Sequence, residues 1–187
     1  MSPDRRAEQP PLRPRIYIAS LADYNAGRLH GRWLDANRPV AELQADIDRM
    51  LHDSREPNAE EFAIHDFEDF GGIRLEEAES LETVFRLANG LIRFGRAFGA
   101  LAAWLGNEAA TEEAFENHYR GSWETAQGYA EDLLADLGVE QYLSEVPDSL
   151  RPYVTIDVAG FARDLQLGGD IYVAEDGATV HVFDAHA

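Results

Sequence analysis

The chain has 187 residues with 35 Asp and Glu against 16 Arg, no Lys and no Cys, and a formal charge of −19. A surface this anionic repels nucleic acid and is drawn to whatever binds nucleic acid; the missing cysteines exclude a disulfide framework, a thiolate nucleophile and a thiolate zinc site. A hydrophobic share of 45% still allows packed cores, and with no apolar run near the ~20 residues of a membrane span, a cytoplasmic protein without membrane contact is expected.

Residues 1–12 hold three Pro and almost nothing to bury, which predicts a flexible leader. Arg15 to Ser20 alternates at strand period, DYNAGR (Asp23 to Arg28) has turn chemistry, and Leu29 to Leu34 returns as a second strand. Pro39 opens a helix with Val40, Leu43, Ile47, Met50 and Leu51 on its apolar side and Glu42, Asp46 and Asp48 facing outward. Phe62 to Phe67 predicts a third strand, closing an α+β domain over 13–70. A helical middle domain is expected over 71–110. Ser80 caps its first helix, which Gly90 weakens near the end, and 96–105 forms the second. The range 111–187 reads as a second α+β domain, with helices at 111–119, 124–137 and 157–166. Asp157 caps the last of these, and a hairpin from Asp170 to Phe183 turns at Asp176-Gly177. The fold class is therefore α+β, an elongated chain of three small domains in series (α+β, helical, α+β).

Enzymatic chemistry finds little support. The six histidines make no H-E-x-x-H pair, and neither a G-x-S-x-G elbow nor a phosphate-binding loop with its lysine is present. No EF-hand series is complete. No catalytic residue, metal or cofactor is expected.

The acids themselves are arranged. Residues 31–187 hold 32 of them against 11 Arg, an excess read as spread along the whole length. Between Glu60 and Glu82, nine carboxylates (Glu60, Glu61, Asp66, Glu68, Asp69, Glu76, Glu77, Glu79, Glu82) face Arg74 alone. Glu108, Glu112 and Glu116 recur every fourth residue, as do Asp132, Asp136 and Glu140. On a helix such residues stack about 5–6 Å apart and repel, a spacing comparable to neighbouring phosphates on one strand. Duplex DNA carries one charge per about 1.7 Å, so the excess matches roughly ten base pairs. The competing reading is a solvated acidic face, as in salt-adapted proteins.

Five segments resemble the ArdA antirestriction family: Pro14 to Gly27 (PRIYIASLADYNAG), Arg28 to Leu34 (RLHGRWL), Ala63 to Phe70 (AIHDFEDF), Tyr129 to Gly138 (YAEDLLADLG) and Phe161 to Leu165 (FARDL), with the likeness running on into the terminal hairpin. The resemblance implies an elongated, curved, dimeric mimic of double-stranded DNA. It would protect mobile genetic elements by occupying the DNA groove of type I restriction-modification enzymes, with their methyltransferase core as partner and no direct contact with nucleic acid. It places an antirestriction motif near Glu131 to Glu145, adding Glu131 and Glu145 to the acids above. Phe115, Tyr119 and Trp123 are expected at a homodimer contact in the last domain, the competing reading being core packing. Two alternatives stand beside this function: a mimic aimed at another DNA-binding protein (a nucleoid protein, nuclease or repair enzyme) and, from a different class, a small acid-rich hydrolase.

Overall fold

The computed structural model describes residues 11–187, so the expected leader lies outside the described residues except for Pro11 and Leu12. Two compact units divide the chain, one reaching to Glu112 and the other Glu113–Ala187. The expected ranges 13–70 and 71–110 fall in the first; 111–187 takes in the second together with Thr111 and Glu112.

In the first unit β1 (Arg15–Ser20) is the centre of a three-stranded antiparallel sheet, between β2 (Gly31–Asp35) and β3 (Phe62–Glu68). Period-two alternation sends Ile16 and Ile18 to one face, where both are fully buried. Ile16 stands opposite Leu34, and Ile18 opposite Ile64 beyond a bulge at Tyr17/Ile18. Leu43, Ile47 and Met50 of α2 (Val40–His52) cover the core, each such side chain worth about 1.5–3 kcal/mol when withdrawn from water. Two sequence expectations change here. The DYNAGR segment is not all turn: Ser20 accepts the Asp23 N–H and caps a short helix, α1 (Leu21–Asn25). Asp46, expected to face outward, is 8% exposed, because Arg38 and Arg49 reach it at 2.6 and 2.9 Å and a buried charge persists only when paired.

Beyond β3, Ser80 caps α3 (Leu81–Phe94) by accepting the Thr83 N–H, and α4 (Arg96–Leu105) folds back on α3. Gly90 does more than weaken a turn: a Cβ there would stand 2.3 Å from the Phe98 ring. Glycine lets the fully buried Phe98 lie against the α3 backbone.

The second unit takes its polar helices from α5 (Glu112–His118), α6 (Ala126–Asp136), α7 (Val139–Ser144) and α8 (Val158–Gly168). Its sheet has the order β4 (Tyr119–Trp123), β6 (Thr179–Asp184), β5 (Ile171–Asp176), all antiparallel. Neighbouring residues of a strand point to opposite faces, yet Val182 and Phe183 are both fully buried, so β6 is covered on both sides. Asp157 caps α8 through the Gly160 N–H. The hairpin register pairs Asp176 with Thr179, which moves the two-residue loop to Gly177-Ala178. Sequence periodicity missed β4 and α7.

Candidate functional site: an acidic surface

Most of the carboxylates singled out by sequence stand in solvent. Glu60 and Glu61 lie on the loop entering β3, Asp66 and Glu68 on β3, and Asp69, Glu76 and Glu77 on the connection to α3, all exposed. Glu82 is exposed in the first turn of α3, where an anion also suits the helix dipole. Among the described residues, acids of this stretch with protein partners include Glu68, paired with Arg15 at 2.9 Å, the half-buried Glu79, which accepts from the Asn107 amide at 2.9 Å, and Asp66, which accepts the Phe67 N–H at 2.8 Å.

The fourfold spacings do not make continuous rows. Glu108 lies in the turn before α5, so only Glu112 and Glu116 share that helix, and Glu112 pairs with Arg93. Asp132 and Asp136 are exposed one turn apart on α6, with Glu131 beside them. Glu140 belongs to α7, because Gly138 adopts the left-handed conformation (φ 74°) and ends the α6 direction. Glu145 follows at the end of α7, also exposed. Glu113, Glu124, Asp148, Asp164, Asp170 and Glu175 are equally exposed. They lack helical spacing, and only composition could have found them.

The charge is also less even than its sequence average. Residues 1–59 balance nine acids with nine Arg, 60–82 hold nine against one, 83–111 hold one against three, and 112–187 hold 16 against three. The excess therefore sits in two stretches rather than along the whole length.

Three acids are structural anions instead. The Ser54 hydroxyl, then Ser20, His30 and Arg28, hold the 2%-exposed Asp23 below the usual carboxylate range against the opposing effect of burial. Arg38 does the same for Asp46, and Arg120 with the His186 N–H for Asp184. Lowered pKa values of this kind suit permanent anions and not a general acid. None of the three lines the cleft of about 350 Å³ bounded by Val40, Gln44, Phe62, Leu81 and Glu77 to Glu79. Among the described residues no group of three or more His, Cys, Asp or Glu could hold a metal ion, and no helix is long and apolar enough to cross a membrane.

Of the aromatics expected at a subunit contact, Phe115 is 5% exposed, with its ring 4.6 Å from that of Tyr119 and 6.3 Å from that of Phe183. Tyr119 is half-buried, its hydroxyl 3.3 Å from His181 Nδ1. Trp123 is half-buried too: its ring meets Tyr129 edge-on and its Nε1–H donates to Asp132 at 2.8 Å. The larger exposed apolar side chains of this unit are elsewhere, at Leu137, Tyr142, Leu150, Tyr153, Val154, Ile156 and Leu167.

Fold and surface define an acidic α+β protein most of whose carboxylates stand exposed among the described residues. The chain belongs to the ArdA family: the family model described as antirestriction protein (ArdA) matches residues 16–180. No curated protein matches it.

Proposed function

We propose that the protein is an antirestriction inhibitor that imitates double-stranded DNA and competes for the basic groove of type I restriction-modification enzymes, acting in the cytoplasm on behalf of mobile genetic elements. One observation carries this reading: a member of an antirestriction family concentrates its excess of exposed carboxylates in two stretches, residues 60–82 and 112–187, that have few arginines. Glu60, Glu61, Asp66, Asp69, Glu76, Glu77 and Glu82 would meet the groove from the first unit. Glu116, Glu131, Asp132, Asp136, Glu140 and Glu145 would do so from the second. Long-range attraction speeds the encounter, and affinity comes from many ion pairs of about 0.2–1 kcal/mol each. The test is titration of the protein into a type I methyltransferase core holding a labelled duplex. Stoichiometric release supports competition; an unchanged complex at saturating inhibitor rejects it.

Dimerisation belongs to the same proposal. Apolar side chains as exposed as Leu150 (54%) and Tyr153 (83%) on so charged a unit suit a contact with a second copy. Sedimentation should show a dimer that Leu150→Asp with Tyr153→Asp converts to monomer; an unaltered sedimentation coefficient would place the contact elsewhere.

A further inference from the structure

The segment Ser20 to Arg28, conspicuous in the sequence, contributes no acid to the exposed surface just described, and Asp23 is too buried to touch a partner. Its bonds run instead to one loop, residues 53–61, which joins α2 to β3. The Ser54 hydroxyl donates to Asp23 and accepts the Glu56 N–H at 3.0 Å. Arg28 reaches Asp23 at 3.5 Å and also pairs with Glu56. At the far end of the loop the Leu21 N–H donates to the Glu61 carbonyl at 3.0 Å, and the Tyr24 ring stands edge-on to His65 of β3 with centroids 4.7 Å apart. The loop is thus held at both ends by α1 and its flanks. It carries Glu60 and Glu61, where the first acid-rich stretch begins.

We infer that Asp23 and Ser54 are positioning residues of the inhibitor: through this cradle they fix the direction in which the carboxylates at 60 and 61 face a basic partner. The inference rests on the competitive reading above and adds to it a part that never meets the target. Without these bonds the loop would be held only by its covalent joins to α2 and β3 and would spread those carboxylates over many orientations, and each ion pair would then cost ordering entropy on contact. Held in place, they are pre-organised.

The test uses the full-length protein, a type I methyltransferase core and a labelled duplex, with hydrogen exchange read over residues 53–61. Ser54→Ala should speed exchange in that loop, weaken displacement by about three- to tenfold, as expected for a few modest ion pairs, and flatten its salt dependence. Ser54→Thr keeps a hydroxyl and should restore both. Val84→Ala, which loosens the core of the same unit, should leave displacement unchanged at temperatures where the protein stays folded. That separates positioning from general stability. If Ser54→Ala frees the loop yet displaces DNA as the parent does, or leaves the loop as protected as before, the positioning role is wrong while competition stands. If the parent protein fails to displace DNA, the competitive reading falls and the role falls with it.

Discussion

Up to Glu112 the chain sets 13 arginines against 20 carboxylates, whereas Glu113–Ala187 sets three against 15. In the first unit arginine is an architectural residue. Arg38 and Arg49 hold Asp46, Arg28 bridges Asp23 and Glu56, Arg15 spans Asp35 and Glu68, and Arg93 meets Glu112. In the second, Arg120 secures Asp184 and Arg151 meets Asp148, and helices such as α6 carry acids outward with no arginine in their sequence. The difference teaches that an acid-rich composition can hide two uses of the carboxylate. One kind is answered by a nearby arginine and, at Asp23 and Asp46, is also buried. The other stays in water, where repulsion between neighbours is tolerated and a cationic partner would relieve it.

The largest expected effect tests how the second unit is held. Phe115→Ala should lower its stability by about 3–5 kcal/mol, as for other buried aromatics, seen as loss of hydrogen-exchange protection confined to residues after 112. If the change instead gave a folded monomer, Phe115 would be a contact residue and its packing against Tyr119 and Phe183 the lesser part of its role. Next comes charge. Amide replacement of Glu131, Asp132, Asp136, Glu140 and Glu145 together should weaken displacement of duplex from a type I methyltransferase by about 70-fold, at roughly 0.5 kcal/mol per pair. Treating Glu60, Glu61, Asp66, Glu76 and Glu77 alike should weaken it by only about tenfold, at roughly half that energy per pair in the more compensated first unit. Equal losses would erase the contrast between the units.

Gly90→Ala sharpens the comparison from the other side, since it should destabilise the first unit alone, by about 1–3 kcal/mol, through overpacking against Phe98. A denaturant series that resolves the two units would show one transition shifted and the other fixed. The smallest effects are those of pH and salt. Asp23, Asp46 and Asp184 are more acidic folded than unfolded, so their stabilisation is intact above the ordinary carboxylate range, near pH 4, and is lost as pH falls through their lower folded values. Repulsion moves oppositely, fading as pH falls toward the isoelectric point near 4.5. Melting temperature should therefore rise modestly from pH 8 to 5 and drop below 4. Added salt at pH 7 should protect the second unit more than the first.

Local chemistry announced itself in the sequence wherever one segment sufficed to specify it. The alternation of Arg15–Ser20, the Ser80 and Asp157 caps, and the helix Arg96–Leu105 needed no distant partner. What stayed hidden depended on residues far along the chain. β4 is YRGSW, with no apolar run, and it becomes a strand by pairing with β6 some 60 residues later. Asp23 and Asp46 look like ordinary surface acids until Ser54, 31 positions away, and Arg38, eight away, are seen to close on them. Phe115 reads equally well as contact or core, and its ring neighbour Phe183 lies far along the chain. Composition made the abundance of surface acid legible, but not the turn that interrupts its spacing.

That turn, at Gly138, has a corollary. An uninterrupted α-helix can offer only a straight rail, climbing about 1.5 Å with each residue and rotating about 100°, while the sugar-phosphate strands of a duplex wind. One left-handed residue between α6 and α7 changes the bearing of the chain that follows, so a change of length at this joint would redirect Glu140 and Glu145 without touching Asp132 or Asp136.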